Sequence, residues 1–382
     1  MTIAFWLLFG LVLYAYIGYP LLIGLVAILR GRRPDRDDAF EPTVSILIPA
    51  YNEEAIIGAK LDNVLSLDYP ASKREIIVAS ESDDGTNEIV ERYAGRGVRL
   101  LRSETRRGKV ANLYRAVPHA TGEILVFTDA NAMLRRDALR KLMRNFADPR
   151  VGSVSGRLVY VNPAGATSGA GESVYWGFEM LIKRASSALG SLPGANGSLF
   201  ALRRHLYRPI NERRGDDFEL PIRVILQGWD SILEPEAVSE EIASSGYVEE
   251  YRRKLRIINW MVVSAVILVR EAVVRGCLLL SFQLLSHKLS RWAVPFWLVA
   301  LLPLSLLLAS RGGFYLVAAA SQLLVYGLAL IGWGAAALRA RLPSLFMLPF
   351  YFVVVNLACL GGVLTALAGR EVIWHKRSDT PG

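Results

Sequence analysis

The stretch EILVFTDANAM, residues 123–133, decides how the rest of this chain reads. Four consecutive large apolar residues, 124–127, suit a strand buried on both faces of an α/β sheet. The run ends abruptly in Thr128, Asp129, Ala130 and Asn131. A carboxylate at the carboxyl end of such a strand stands where open α/β sheets bind ligands. Asp129 and Asn131 are two apart, so both can turn an oxygen toward one hard cation, Mg²⁺ or Mn²⁺, with substrate phosphates and water completing its shell. The residues alone equally allow Asp129 to cap the helix expected near Arg136.

Outward from this stretch, strands and helices alternate. Residues 44–48 read as a strand stopped by Pro49, 55–67 as a helix ending before Pro70, and 75–79 as a second strand. Ser82-Asp83-Asp84-Gly85-Thr86 is turn chemistry opening a helix at about Asn87. Residues 98–102 are a third strand, 110–117 a helix and 123–128 the fourth strand. This β–α–β alternation predicts a largely parallel, doubly wound sheet with right-handed crossovers. Beyond it, 151–161 and 198–202 read as strands and 173–189 as a helix. Asp216-Asp217 opens a helix running to about Gln227, with Gly228 as its stop. This second half is expected to cover the sheet's carboxyl edge and build the acceptor side.

Of the 382 residues, 52% are hydrophobic and 21% charged. That is too apolar for an ordinary soluble enzyme and too charged for a pure membrane bundle, so a soluble domain fused to membrane segments is expected. The net charge of +9 fits Lys and Arg meeting anionic lipid at a cytoplasmic face, and no nucleic-acid motif accompanies it. The two cysteines, Cys277 and Cys359, lie in apolar segments. They give no disulfide framework or thiolate metal site and point to a reducing compartment.

Residues 3–29 are long enough to span a bilayer and lack a basic start and a small-residue cleavage site, so they read as an uncleaved anchor. Arg30, Arg32 and Arg33 follow, which places the amino terminus outside and the next domain in the cytoplasm. Tyr14, Tyr16 and Tyr19 are expected to pack against other helices. Residues 251–285 carry Arg252, Arg253, Lys254, Arg256, Arg270, Glu271 and Arg275 among large apolar residues, so an interfacial helix or pair is expected there rather than a crossing. His287, Lys288 and Arg291 form a basic collar before spanning candidates at 292–308, 314–338 and 345–368. Three such crossings would leave Arg370, Lys376 and Arg377 outside, against the positive-inside bias. The expected organisation is an anchor at 1–30, a linker at 31–42 and a catalytic domain at 43–245. Interfacial helices at 246–290, transmembrane helices at 291–370 and a tail at 371–382 follow.

Read in order, VSILIPAYNEE (44–54), SESDDGT (80–86), RRGKVAN (106–112), FTDANAML (127–134), GANGSLFALRR (194–204), GDDFELPIRV (215–224) and RRKLRI (252–257) resemble the motifs of membrane-bound family 2 glycosyltransferases, the cellulose, chitin and hyaluronan synthase-like superfamily. SHKLSRWAVPF (286–296) extends the resemblance to the first carboxyl-terminal crossing. The resemblance implies an α/β GT-A domain, a nucleotide-sugar donor (usually a UDP-sugar) and inversion at the anomeric carbon. It also implies a lipid-linked or growing glycan acceptor, in cell-surface polysaccharide or glycolipid synthesis at a bacterial inner membrane. The alternatives are a polyprenyl-phosphate sugar transferase and a non-catalytic scaffold that kept the fold.

By that resemblance Pro49, Ala50, Tyr51 and Glu53 cradle the nucleotide base and ribose. Glu81, where the family commonly has Asp, contacts the base, and Lys109 contacts the nucleotide or its phosphate. Asp129, with Asn131 replacing the family's second Asp, holds a Mg or Mn ion that neutralises charge on the leaving diphosphate. Asp217 maps to the general base that an acceptor hydroxyl requires, and Asp216 raises its neighbour's pKa by like-charge proximity. The residues alone equally let both acids favour a helix amino terminus. Arg253 and Arg256 fall at the outer positions of a QxxRW-like element, where arginine grips pyrophosphate. Arg252 and Lys254 are expected to face lipid. Ile257 stands at the Trp position of that element, which removes the aromatic face that holds a growing chain and points to transfer of one or a few sugars. Trp260, a helical turn on, would have to reach back to replace it. Trp176 and Trp229 are sugar-stacking candidates, with a core role preferred for each.

Overall fold

The computed structural model describes residues 1–161, 169–212, 214–242, 247–338 and 344–370, without the side chains of 169–176, 344 and 345. The chain enters through α1 (Thr2–Leu13) and α2 (Tyr19–Arg30), one rod carrying a π turn at Tyr14–Gly18. β1 (Val44–Ala50), α3 (Ile57–Leu65), β2 (Arg74–Ser80), α4 (Thr86–Glu91), β3 (Val98–Arg102), α5 (Lys109–Ala116) and β4 (Ile124–Phe127) follow in the expected alternation. β2 pairs parallel with β1 and β3, and β1 with β4. The four apolar residues of β4 are buried on both faces, as their composition requires. Val126 joins Ile46 and Ile48 under α3, whereas Leu125 and Phe127 join Leu47 and Ile77 under α5.

Pro49 does not stop β1. The strand runs on through Pro49↔Ala79 and Ala50↔Ser80. Leu47 turns its carbonyl to Thr128 on the β4 side, and Ala50 turns its carbonyl to Glu81 on the β2 side. Alternation therefore aims residue 49 at the β4 side, where β4 has already ended at Phe127, and the missing N–H of proline leaves no rung unmade.

The unbroken parallel run also ends at β4, and among the described residues only one later pair of strands is again parallel. The chain continues through β5 (Met133–Leu134), α6 (Ala138–Met143), β6 (Val151–Val161), α7 (Gly169–Ala188), β7 (Phe200–Arg203), α8 (Asp216–Leu226) and β8 (Asp230–Ile242). The sheet order is β3-β2-β1-β4-β7-β6-β8-β5. β7 pairs antiparallel with β4 and β6, and β5 antiparallel with β8. Phe127 and Phe200 face each other across that β4–β7 seam, with their rings stacked at 4.6 Å. β8 has no counterpart in the strand pattern read from sequence.

The described residues that follow are mostly helical: α9 (Tyr247–Val274), α10 (Leu278–Gln283), α11 (Ser290–Leu308), α12 (Gly313–Ala337) and α13 (Ser344–Leu367). A π turn at Leu284–Leu289 joins α10 to α11. Among the described residues five helices are long and apolar enough to cross a membrane: Thr2–Arg30, Tyr247–Val274, Leu278–Arg311, Gly313–Ala337 and Phe346–Leu367. α9, expected to lie in the interface, is thus one unbroken 28-residue helix that meets the length and composition of a span. The amino-terminal tyrosines pack inward as expected: Tyr19 is fully buried with its ring stacked on His287, and Tyr14 donates to Ser286. Arg32 ties the linker to the sheet by pairing with Asp148 and Asp230. Lys254, expected to face lipid, instead pairs with Glu250 at 3.2 Å in a nearly closed pocket. Lys376 and Arg377 lie outside the described residues.

Candidate active site

The carboxyl ends of β1, β2 and β4 converge on one edge, and the loops leaving them are tied together. Asn52 adopts a left-handed φ of 56°, a conformation that its short polar side chain supports by local hydrogen bonding. It exchanges hydrogen bonds with Asp83, and its N–H donates to Ser82. The Glu53 N–H donates to Thr86 Oγ1 at 2.8 Å, while Asp84 accepts from the Thr86 N–H. The SDDGT turn thus fixes the loop that carries Tyr51 and Glu53. Arg106 lies over the Tyr51 ring at 4.0 Å, a cation–π contact that closes the side of this concavity.

Glu81 is buried and accepts from the Gly108 N–H at 2.8 Å through Oε2. Gly108 has φ +99°, which only glycine takes without strain, and this turn launches α5 with Lys109 at its start. The other oxygen of Glu81, Oε1, is buried without a hydrogen-bond partner among the described residues. A buried acceptor left unpaired is costly unless a ligand completes it.

Lys109 joins the two halves of the site. Its Nζ lies 2.8 Å from Asp129 Oδ1 and 3.2 Å from Asp216 Oδ2. Asp129 therefore faces Lys109 and does not cap a helix. Burial alone would depress the Lys109 ammonium, but Asp129, Asp216 and Asp217 hold it above its ordinary value. Asp216 is buried in the first turn of α8, and burial, reinforced by Asp217 and Asp129 against Lys109, pushes its carboxyl up to about 6. Asp217 is raised as well, by burial first and with Lys109 opposing. The helix amino terminus favours both carboxylates but does not cancel that burial.

The GANGS loop wraps Asp217. Ala195 N–H donates to its backbone carbonyl at 2.7 Å. A Cβ on Gly197 would stand 3.1 Å from Asp217 Oδ2 and 3.6 Å from Asp129 Oδ2. Gly197 thus leaves an open cradle between the two carboxylates that any larger residue would fill. Asn131 is half-buried on the same loop as Asp129, and no hydrogen bond involves its side chain among the described residues. Among the described residues no group of three His, Cys, Asp or Glu side chains is placed to hold a metal ion by itself. A carboxylate, a free amide and an open cradle fit a hard cation whose remaining ligands are substrate oxygens.

Sequence reading missed Lys60, which looks like an ordinary helical lysine. It is fully buried under the β4–β5 loop, where it donates to Thr128 Oγ1 at 2.8 Å and to the Ala132 carbonyl. Those two residues bracket Asp129 and Asn131. Burial pushes the Lys60 amine down to about 7, with Asp129 and Glu241 opposing. No local pattern marks it.

Other expected residues stand apart. Arg253 gives Nε to Glu250 at 3.0 Å and Nη1 to Tyr160 at 2.8 Å, and among the described residues no ion pair joins it to Asp129, Asp216 or Asp217. Arg256 lies over Trp260 at 5.5 Å. Trp229 packs with the core cluster under α5 and against His205. The side chain of Trp176 lies outside the described residues.

Residues 45–210 match the glycosyl transferase family 2. The chain is 30% identical over 198 residues to the beta-monoglucosyldiacylglycerol synthase of Trichormus variabilis, covering 50% of this chain and 42% of that one. It is 25% identical over 224 residues to the poly-beta-1,6-N-acetyl-D-glucosamine synthase of Staphylococcus epidermidis, covering 58% and 50%. The chain thus spans about half the length of the curated relatives it matches. The mannosyltransferase PcManGT from Pyrobaculum calidifontis, solved in complex with GDP-Man and Mn²⁺, superposes with a TM-score of 0.69 at 26% identity, covering 96% of this chain and 100% of that one. The tied strand-end loops, the Lys109-bridged carboxylates and these matches agree: residues 45–210 carry a family 2 glycosyltransferase domain of GT-A fold.

Proposed function

We propose that this protein transfers a sugar, with inversion, from a nucleoside-diphosphate sugar to a lipid-linked acceptor at a membrane surface. The observation that carries the reading is the Lys109 bridge. One ammonium holds Asp129 from the strand end and Asp216 from the helix start, with Asp217 across the Gly197 cradle. Pro49, Ala50, Tyr51 and Glu53 line the donor end, and the free oxygen of Glu81 accepts from the base. Lys109 faces the diphosphate. A divalent cation at Asp129 and Asn131 would supply positive charge where the leaving diphosphate gains negative charge.

Asp217 is the base. The acceptor oxygen forms its bond to the anomeric carbon as the bond from that carbon to the diphosphate oxygen breaks and its electron pair leaves with the diphosphate. The acceptor proton goes to the Asp217 carboxylate. A carboxyl raised above its ordinary value is a better proton acceptor than an ordinary one, and burial, with Asp129 adding to it, provides that rise. Arg253 and Arg256, on α9, are proposed to meet the pyrophosphate from the membrane side. The candidate spans support a membrane location, and the Arg30–Arg33 flank supports a cytoplasmic orientation.

The test is nucleoside-diphosphate release by the purified chain across a panel of UDP- and GDP-sugars, with Mg²⁺ or Mn²⁺ and membrane lipid extract. Release with one donor, abolished by chelator, supports the reading. No release with any donor under these conditions rejects it.

A further inference from the structure

The seam where α7 and the α10–α11 rod meet the start of α8 carries charges that do not cancel. Glu179, buried on α7, pairs with His287 Nε2 at 3.4 Å and with Arg291. Burial alone would raise the Glu179 carboxyl, but Arg291 and His287 hold it well below the usual carboxylate range. One turn along α7 stands Lys183, and in the π turn that leads into α11 stands Lys288. Both are half-buried, and among the described residues neither has an ion-pair partner. Burial pushes the Lys183 ammonium down, with Glu179 and Asp217 opposing. Lys288 Nζ lies 6.0 Å from the ring of Phe218, the residue that follows Asp217. Asp217 is within electrostatic reach of both lysines.

Two partly desolvated ammonium groups without a counter-ion are costly, and an anionic ligand removes that cost. The donor side already has Lys109 for a diphosphate. Lys288 stands instead beside Phe218, which belongs to the apolar cluster formed with Leu284 and Trp292 of the candidate spans. An anion seated here has a carboxylate base beside it and an apolar seam leading toward the membrane helices. That combination fits a lipid whose headgroup carries both a phosphate and a hydroxyl.

Resting on the transferase reading, we infer that Lys183 and Lys288 seat the phosphate of a phosphate-bearing lipid acceptor and so hold its hydroxyl toward Asp217. The glutamate–arginine pair behind them fixes the two helices at the spacing that the seat requires. The lysines recognise the acceptor and take no part in bond making.

Lipid retention and acceptor kinetics on the full chain test this. In neutral detergent, native mass spectrometry should find phosphatidylglycerol retained over diacylglycerol by the parent. Lys183→Met and Lys288→Met should lose that preference, and Lys183→Arg and Lys288→Arg should restore it. In turnover, the methionine variants should raise the KM for phosphatidylglycerol about tenfold, while the dissociation constant for the nucleotide-sugar stays put. Competition by inorganic phosphate against phosphatidylglycerol at millimolar levels would show that the headgroup anion alone is read; no competition would show that the lipid anchor is needed as well, and either supports the seat. Equal retention of both lipids by the parent overturns it. So does weakened nucleotide-sugar binding in the methionine variants, which would put the lysines on the donor side. Retention needs no turnover, so an inactive parent that still selects phosphatidylglycerol would break the transferase reading and leave the seat standing.

Discussion

Two ion clusters in the same sheet domain are built in opposite ways. Glu234 on β8 is fully buried and saturated. It accepts from Arg144 Nε and Nη2 at 3.1 Å each, from Asn145 at 3.0 Å and from the Glu236 N–H at 3.0 Å, and Arg36 lies 3.3 Å away. Every oxygen has its donors, and the cluster closes on itself. At the carboxyl end of β4 and the start of α8, Asp129 and Asp216 share the one ammonium of Lys109 with Asp217 close by, and one carboxyl is pushed up to about 6. A saturated cluster leaves nothing for a ligand to do. An under-neutralised one keeps a standing demand for cation or proton, which is what a transferase base and diphosphate site require.

If that contrast is right, breaking each cluster has a different signature. Asp217→Asn keeps shape but cannot accept a proton, so turnover should fall about 10²–10⁴-fold, with nucleotide-sugar affinity nearly unchanged and no loss of folding stability. Steady-state rates beside isothermal titration check this, and a loss below threefold would move the base elsewhere. Arg144→Met should do the reverse. Removing one partner of a buried pair strands the other and costs about 3–5 kcal/mol, read by thermal or denaturant unfolding. The molecules that stay folded should turn over at the parent rate.

How far sequence carried this reading follows from which forces are local. Residues 98–102 and 151–161 read as strands with the bounds they have in the structure, because an apolar run between turn residues is a local signal. β8 was invisible. DSILEPEAVSEEI holds a proline and four glutamates without clean alternation, and its strand state comes from pairing with β6 and β5. The residues proposed for donor binding and as base were legible as candidates because each sits in a motif next to a turn. The burial of Lys60 and the surplus of Lys183 and Lys288 were not, because they arise from elements that meet only in the fold. Lys254 went the wrong way for the same reason: its pairing with Glu250 in a closed pocket depends on packing against α13.

The charge deficit should also cost the fold something measurable. The Asp216 carboxyl stands near 6 in the folded chain, above its ordinary value of 3.8. An acid raised by folding stabilises the fold while protonated. That contribution is complete below the unfolded value and is lost as pH rises through about 6. Asparagine is neutral throughout. Asp216→Asn should therefore be more stable than the parent at pH 7, by on the order of 1–2 kcal/mol, with the gap closing below about pH 4. Unfolding midpoints measured from pH 4 to pH 8 in one detergent give the comparison. A gap that stays constant with pH would mean that Asp216 is not the strained acid.

The smallest effect should come from Lys60, which belongs to neither cluster but supports one. Its amine holds Thr128 and the Ala132 carbonyl on either side of Asp129 and Asn131, while Thr128 also donates to the Ser198 carbonyl beside Gly197. One buried group thus ties the β4 exit to the GANGS loop. Lys60→Met keeps the volume and removes the donor. Losing a buried hydrogen-bond donor costs on the order of 1 kcal/mol, and here the loss falls on the loop that sets the distance between Asp129 and the cradle. The expected result is a rise of about fivefold in the nucleotide-sugar KM, given that scale, with a smaller change in kcat. Faster amide exchange should appear across 128–132 and not in β2 or β3. Lys60→Arg is too bulky for the site and should fail in the same direction. Equal loss of exchange protection throughout the sheet would make Lys60 a general core residue. Unchanged exchange at 128–132 with unchanged KM would remove it from the site altogether.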